Sequence, residues 1–216
     1  IDARFLLRGP EAPRNPIVIV ALDEASFQSL GDLQGENIRT WPRAKWAALV
    51  DKIAAGGPRL IALDVVFDTP GWDAGGDAAL ADSIARAGNV VLAANIERSN
   101  LEYQSTTYSP PLESLAAASA SYGVANLAPD PDGVIRSVDL LWPWETQQLP
   151  SFPLLVASLV KGSSLDGDAA DLGGSLSLPV RFRGPEGTFE TISLIDLLEG
   201  VVPVEAYPLS DKLEAF

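Results

Sequence analysis

Hydrophobic positions along this chain follow two rhythms. Unbroken apolar runs occur at Ile17-Val18-Ile19-Val20-Ala21-Leu22, at Leu60-Ile61-Ala62-Leu63-Asp64-Val65-Val66-Phe67 (interrupted only by Asp64) and at Val90-Val91-Leu92-Ala93. Each run is rich in β-branched residues and too short for a typical helix, so each predicts a strand buried on both faces. Between the runs the period changes. Trp46, Leu49, Val50 and Ile53 stand at i, i+3, i+4 and i+7, one face of a helix that Gly56-Gly57-Pro58 stops. Asp77 is placed to cap a second helix over 78–87, which Gly88 closes. Strand, helix, strand, helix, strand at this spacing predicts βαβ units in a parallel sheet.

The second half is less regular. Residues 96–109 are polar and predict a surface excursion, and Pro110-Pro111 opens a small helix reaching Ala118. A fourth strand is expected over 122–127, and Asp130-Pro131-Asp132-Gly133 has the residues of a tight turn. Residues 134–142 alternate as a half-exposed strand, and an apolar helix follows Ser151 over 152–160. Residues 166–174 predict a flexible acidic loop, 176–183 another strand and 184–187 a turn. Ser193 with Asp196 predicts a capping box for a helix ending at Gly200. The fold class expected is therefore α/β. A central, mostly parallel sheet would be flanked by helices on both faces, with an antiparallel or mixed edge in the C-terminal half. Residues 1–16 form a lead-in and residues 17–216 a single domain.

Composition changes this picture by exclusion. The chain is 47% hydrophobic and 20% charged, a globular balance. Its formal net charge of −14 argues against nucleic acid as a partner and against an anionic membrane surface as the main one. There is no Cys, hence no disulfide, thiolate nucleophile or Cys-bound metal. There is no His, hence no Ser-His-Asp triad, His-metal cluster or histidine pH switch. Carboxylates, Arg, Lys, hydroxyls and backbone are left to do any chemistry. No apolar run reaches the length of about 18 residues that a membrane helix needs. The chain starts at Ile1 and contains no Met, so it is expected to be a piece of a longer protein.

In open parallel sheets, ligands bind beyond the carboxyl ends of the strands. Asp23 and Glu24 follow the first predicted strand, Asp64 lies near the end of the second with Asp68 four residues on, and Asn95 follows the third. Converging there, Asp23, Glu24 and Asp64 are the metal candidates for a divalent cation, or one of them is a general base. The structural alternative is that Asp23 caps the following segment and Asp64 pairs with an arginine such as Arg43. Trp41 beside Pro42-Arg43 offers a stacking plane and an Arg fork for a carboxylate or phosphate; the plainer alternative is that Trp41 staples a helix start. Asp23-Glu24-Ala25 lacks the second aspartate of an aspartyl-phosphate enzyme, and no glycine-rich phosphate loop follows the first strand. Counting from Asp130, the twelfth position is Leu141, so a calcium-hand loop is not formed.

Taken in order, several segments resemble the CHASE type 2 sensor domain. They are 17–26, Trp41-Pro42-Arg43, 62–67, 76–81, 88–93, Gly123-Val124-Ala125-Asn126, 130–136, Arg183-Gly184-Pro185 and Thr188-Phe189. The resemblance implies a bacterial extracytoplasmic sensor (periplasmic or extracellular) set between membrane helices. Its partners would be its own membrane helices and a cytoplasmic output domain: a nucleotide cyclase, histidine kinase or Ser/Thr kinase. It implies a module that binds a small ligand or ion, with no cofactor and no catalytic residue in this fragment. Asp23, Arg43, Asp64, Asp132 and Arg136 match recurring polar positions of the family and, with Trp41, are the ligand-binding candidates. A divalent-metal hydrolase using the acidic residues and a structural module forming a homodimer stay open as alternatives.

Overall fold

The computed structural model describes residues 7–13, 16–29, 41–98, 106–165 and 177–201. The expected acidic loop at 166–174 lies outside them. Two compact units are formed. One gathers residues 1–41, 55–58 and 181–216, and the other residues 42–54 and 59–180.

In the first unit, β1 (Val18–Ala21) pairs in parallel with β10 (Glu190–Ser193). Each strand runs straight into a short helix, α1 (Glu24–Ser29) after β1 and α6 (Leu194–Glu199) after β10. Segments from the two ends of the sequence thus share one ladder. The long run 17–22 predicts burial on both faces, but Ile19 is 43% exposed. Among the described residues β1 has a single hydrogen-bonded neighbour, β10, and the predicted pairing of this run with the second strand is not formed.

The second unit is built on a parallel sheet in which β3 (Val90–Arg98) lies between β2 (Ile61–Val66) and β5 (Ser121–Val124). Here burial on both faces holds. Val90, Val91, Leu92, Ala93 and Ala94 are all 0% exposed, because neighbours on both edges and helices on the faces close off β3. Among the described residues β2 has β3 alone as a partner, and it alternates instead, Ile61 and Leu63 buried, Ala62 and Asp64 exposed. Past its parallel half, β3 continues and pairs antiparallel with β4 (Thr106–Ser109), Asn95 opposite Ser109. This extends the predicted third strand into what the polar sequence suggested was an excursion.

Helix α2 (Arg43–Ala55) buries Trp46, Leu49 and Val50, as its period predicts. Helix α3 (Gly76–Ala87) is entered through left-handed Gly75 and closed by left-handed Gly88. Asp77 does not cap it; its carboxylate is engaged elsewhere. Helix α4 (Glu113–Ala118) precedes β5, and Gly123 in that strand is pressed against a further helix. A Cβ on Gly123 would come within 3.0 Å of the Phe152 nitrogen and Pro150 oxygen. That helix, α5 (Phe152–Lys161), follows Ser151 as expected and is capped by it, Ser151 Oγ accepting from Leu154 N–H at 3.3 Å. The antiparallel part expected of the C-terminal half consists of β6 (Ser137–Asp139) with β9 (Ser177–Pro179) and of the hairpin β7 (Leu141–Trp144) with β8 (Gln147–Pro150).

Candidate functional site

Asp23 follows β1 and organises the starts of two helices. Its Oδ1 accepts from Ser26 N–H at 2.9 Å, from the Ser26 hydroxyl at 2.7 Å and from the Ser193 hydroxyl at 2.9 Å. Ser26 Oγ in turn accepts from Ile195 N–H at 3.3 Å. Hydrogen bonding from Ser26, then from Ser193, holds the Asp23 carboxyl below its ordinary range despite partial desolvation. Ser193 stands at the N-cap of α6 but makes no cap bond of its own; its hydroxyl serves Asp23. Glu24 accepts from Gln28 Nε2 at 2.9 Å, one turn along α1.

Arg43, the first residue of α2, is 2% exposed. Its Nε donates to Asp77 Oδ1 at 3.1 Å, its Nη2 donates to the Thr69 carbonyl at 2.8 Å, and its guanidinium carbon lies 4.6 Å from the Phe67 ring centroid. The partner is Asp77, not Asp64 as the sequence suggested, because the glycine-rich loop 68–76 doubles back and brings the first turn of α3 to the first turn of α2. Asp77 Oδ2 also accepts from Gly71 N–H at 2.9 Å. Asp73 on the same loop caps α2 from a distance, accepting from Arg43 N–H at 3.1 Å and Ala44 N–H at 3.2 Å. Trp46 packs edge-on to Phe67 at 5.6 Å between centroids. Trp41 is 1% exposed, whereas Trp72 at the loop tip is 70% exposed.

Asp132 and Arg136 close the turn 130–136 on itself. Arg136 reaches Asp132 through both terminal nitrogens at 2.8 Å and Asp130 through Nη1 at 2.7 Å. Arg136 holds the Asp132 carboxyl down at about 2. Gly133 N–H bonds the Asp130 carbonyl at 2.8 Å, the turn expected from its residues.

Asp64 behaves differently from all of these. Its side chain reaches solvent from β2, it has no hydrogen bond or ion pair among the described residues, and burial by its surroundings raises its carboxyl above the ordinary range. Near the end of the same strand, Asp68 Oδ1 is buried and without a hydrogen-bond partner. On β3 and beyond β5, Asn126 Oδ1 accepts from Ile96 N–H at 2.7 Å while its Nδ2 donates to Asn95 at 2.7 Å. No group of three or more Asp and Glu able to hold a metal ion converges among the described residues.

The roles of Ser26, Ser193, Asp73 and Asn126 are not visible in local patterns. For the Asp73 loop a signal existed: Gly71, Gly75 and Gly76 within six residues mark a backbone in close approach. A Cβ on Gly76 would overlap the Asp73 carboxylate.

A family model described as the CHASE2 domain matches residues 1–213, nearly the whole chain. The chain belongs to the CHASE2 family. CHASE2 domains are non-catalytic, extracellular sensory domains of bacterial receptors. No curated protein and no solved structure matches this chain. Among the described residues no helix of this CHASE2 domain is long and apolar enough to cross a membrane.

Proposed function

We propose that this CHASE2 domain is the extracytoplasmic sensory part of a bacterial transmembrane signalling receptor and takes a small ligand at Asp64. The observation that carries the site is the contrast among the candidates. Asp23, Arg43, Asp132 and Arg136 are engaged within the fold, whereas Asp64 is raised by burial and has no partner. A carboxylate partly shielded from water and unpaired gains more than a fully solvated one from a donor outside the fold. A lone carboxylate suits an amine or another hydrogen-bond donor better than a metal, since Mg²⁺ and Ca²⁺ require several oxygen ligands.

Transmission would pass through the first unit. The β1–β10 pairing joins segments from both ends of the sequence, where membrane helices and the cytoplasmic cyclase or kinase would connect. Ligand binding would shift populations of that unit. The Asp23 bonds to Ser26 and Ser193, which tie α1 to α6, are a two-sided contact that such a shift would stress.

The test is thermal melting of the 216-residue chain with spermidine, Mg²⁺ and Ca²⁺, for the wild type and Asp64→Asn. Binding to the folded state raises the midpoint with ligand concentration. The proposal expects a rise with spermidine that Asp64→Asn abolishes; a rise of equal size in both proteins removes Asp64 from the site. A second reading, a module forming a homodimer, is favoured by Ile17 and Ile19, 51% and 43% exposed at and beside β1. Sedimentation of the chain across concentrations separates it, since a strict monomer contradicts it.

A further inference from the structure

Three arginines converge on one carboxylate in the first unit. Glu11 meets Arg8 Nε at 3.2 Å, Arg181 Nη2 at 2.9 Å and Arg183 Nη1 at 2.8 Å. The backbone holds the two segments together, Glu11 N–H donating to the Arg183 carbonyl at 2.7 Å and Arg8 Nη2 donating to the Phe182 carbonyl. Among the described residues Glu11 is the only carboxylate in ion-pair contact with Arg181 and Arg183, so these two cations outnumber their counter-charge in a chain of net charge −14. The Nε and Nη1 of Arg181 and the Nε and Nη2 of Arg183 make no hydrogen bond among the described residues. Two large apolar side chains flank the cluster in sequence and face water, Leu7 at 88% and Phe182 at 44% exposed.

We propose that Arg8, Arg181 and Arg183, with Leu7 and Phe182, form a docking surface for the phosphate headgroups of an anionic phospholipid bilayer. A guanidinium fork matches a phosphate through paired hydrogen bonds, and the donors left open on Arg181 and Arg183 supply them. Apolar side chains beside basic ones characterise surfaces that lie at a membrane interface, the first entering the acyl boundary while the second meets the headgroups. A free anion would need the arginines alone and leaves Leu7 and Phe182 without a role. The negative charge of the rest of the chain does not forbid contact: at physiological salt, charges more than roughly 8 Å away are screened. The contact would hold the first unit, with its β1–β10 ladder, against the lipid surface.

Cosedimentation of the chain with vesicles tests this. Phosphatidylcholine vesicles are compared with vesicles containing phosphatidylglycerol, with and without inorganic phosphate. Binding to the anionic vesicles alone, declining with salt, is expected. Arg181→Gln and Arg183→Gln should each weaken it about fivefold, from a contribution of about 1 kcal/mol per basic residue near such a surface. Phe182→Ser, an exposed change that leaves the ion pairs intact, should weaken it too, and Glu11→Gln should strengthen it. Melting curves of each variant confirm that it is folded. Equal binding to both vesicle types, no binding, or undiminished binding by the arginine and Phe182 variants overturns the proposal. So does loss of vesicle binding to submillimolar inorganic phosphate, which would make the cluster a site for a free anion.

Discussion

Arg43 and Asp77 stand 34 residues apart in sequence and meet through an Nε–H···Oδ1 bond of 3.1 Å, with the arginine side chain almost wholly out of water. The same carboxylate holds Gly71 N–H, so one side chain fixes the start of α2, the loop after β2 and the first turn of α3. Asp77→Ala should destabilise the chain by about 3 kcal/mol, because it leaves a buried guanidinium without its counter-charge. For a domain of this size that lowers the melting midpoint by about 6–12 °C. Arg43→Lys should be no more stable than Arg43→Met. A single ammonium cannot reach both Asp77 and the Thr69 carbonyl while lying over Phe67. A loss below about 1 kcal/mol for Asp77→Ala would show that the pair is replaceable by water.

Gly76 and Asp73 make a second, coupled prediction. Any Cβ at position 76 displaces the Asp73 carboxylate, which caps Arg43 N–H and Ala44 N–H. Gly76→Ala and Asp73→Ala should therefore each cost about 1 kcal/mol through the same lost cap. The double variant should cost about as much as one of them, a non-additivity that a double-mutant cycle measures. Additive losses would mean that the glycine is required for some other reason.

Acid should act on two other carboxylates. Asp23 and Asp132 are both held below their ordinary value, by Ser26 and Ser193 in one case and by Arg136 in the other. A depressed folded-state value means that the unfolded chain binds protons first as pH falls. Their stabilisation is complete above pH 3.8 and is lost below it, for Asp132 down to about pH 2. Asp23→Asn and Asp132→Asn should each flatten the stability profile in that acid range and lower stability at pH 7. Unchanged acid slopes in chemical denaturation would show that these bonds do not bias the fold.

How much of this was legible beforehand depends on how local each feature is. The period of Trp46, Leu49 and Val50, the helix after Ser151 and the turn 130–133 follow from residues within a few positions of one another, and the structure has them all. The parallel α/β class was legible too, because β3 must be apolar on both faces to sit between β2 and β5. Partner choice was not. The run 17–22 looks like another central strand, but nothing in it reveals that its neighbour is β10, about 170 residues away. Likewise, Asp23 has Ser26 nearby, yet its third bond comes from Ser193, and Arg43 takes Asp77 over the more conspicuous Asp64. Those choices are made by the path of loops whose polar residues carry no period.

Asp64 gives the sharpest separation of structural from sensory roles. Burial raises its carboxyl, so the sign is opposite to that of Asp23. Below pH 3.8 both folded and unfolded chains carry it protonated. As pH rises past 3.8 the unfolded chain ionises first while the folded chain still holds the proton, so stability falls until the pH has passed the folded value and stays lower at neutrality. Asp64→Asn should consequently raise stability slightly at pH 7, by no more than about 0.5 kcal/mol for an exposed position, and leave it unchanged at pH 3. The variant would be more stable without ligand and blind to spermidine, the combination expected of a group retained for binding at a cost to the fold. Destabilisation at pH 7 would instead mean that the carboxylate supports the sheet, and the sensory site would have to be sought away from β2.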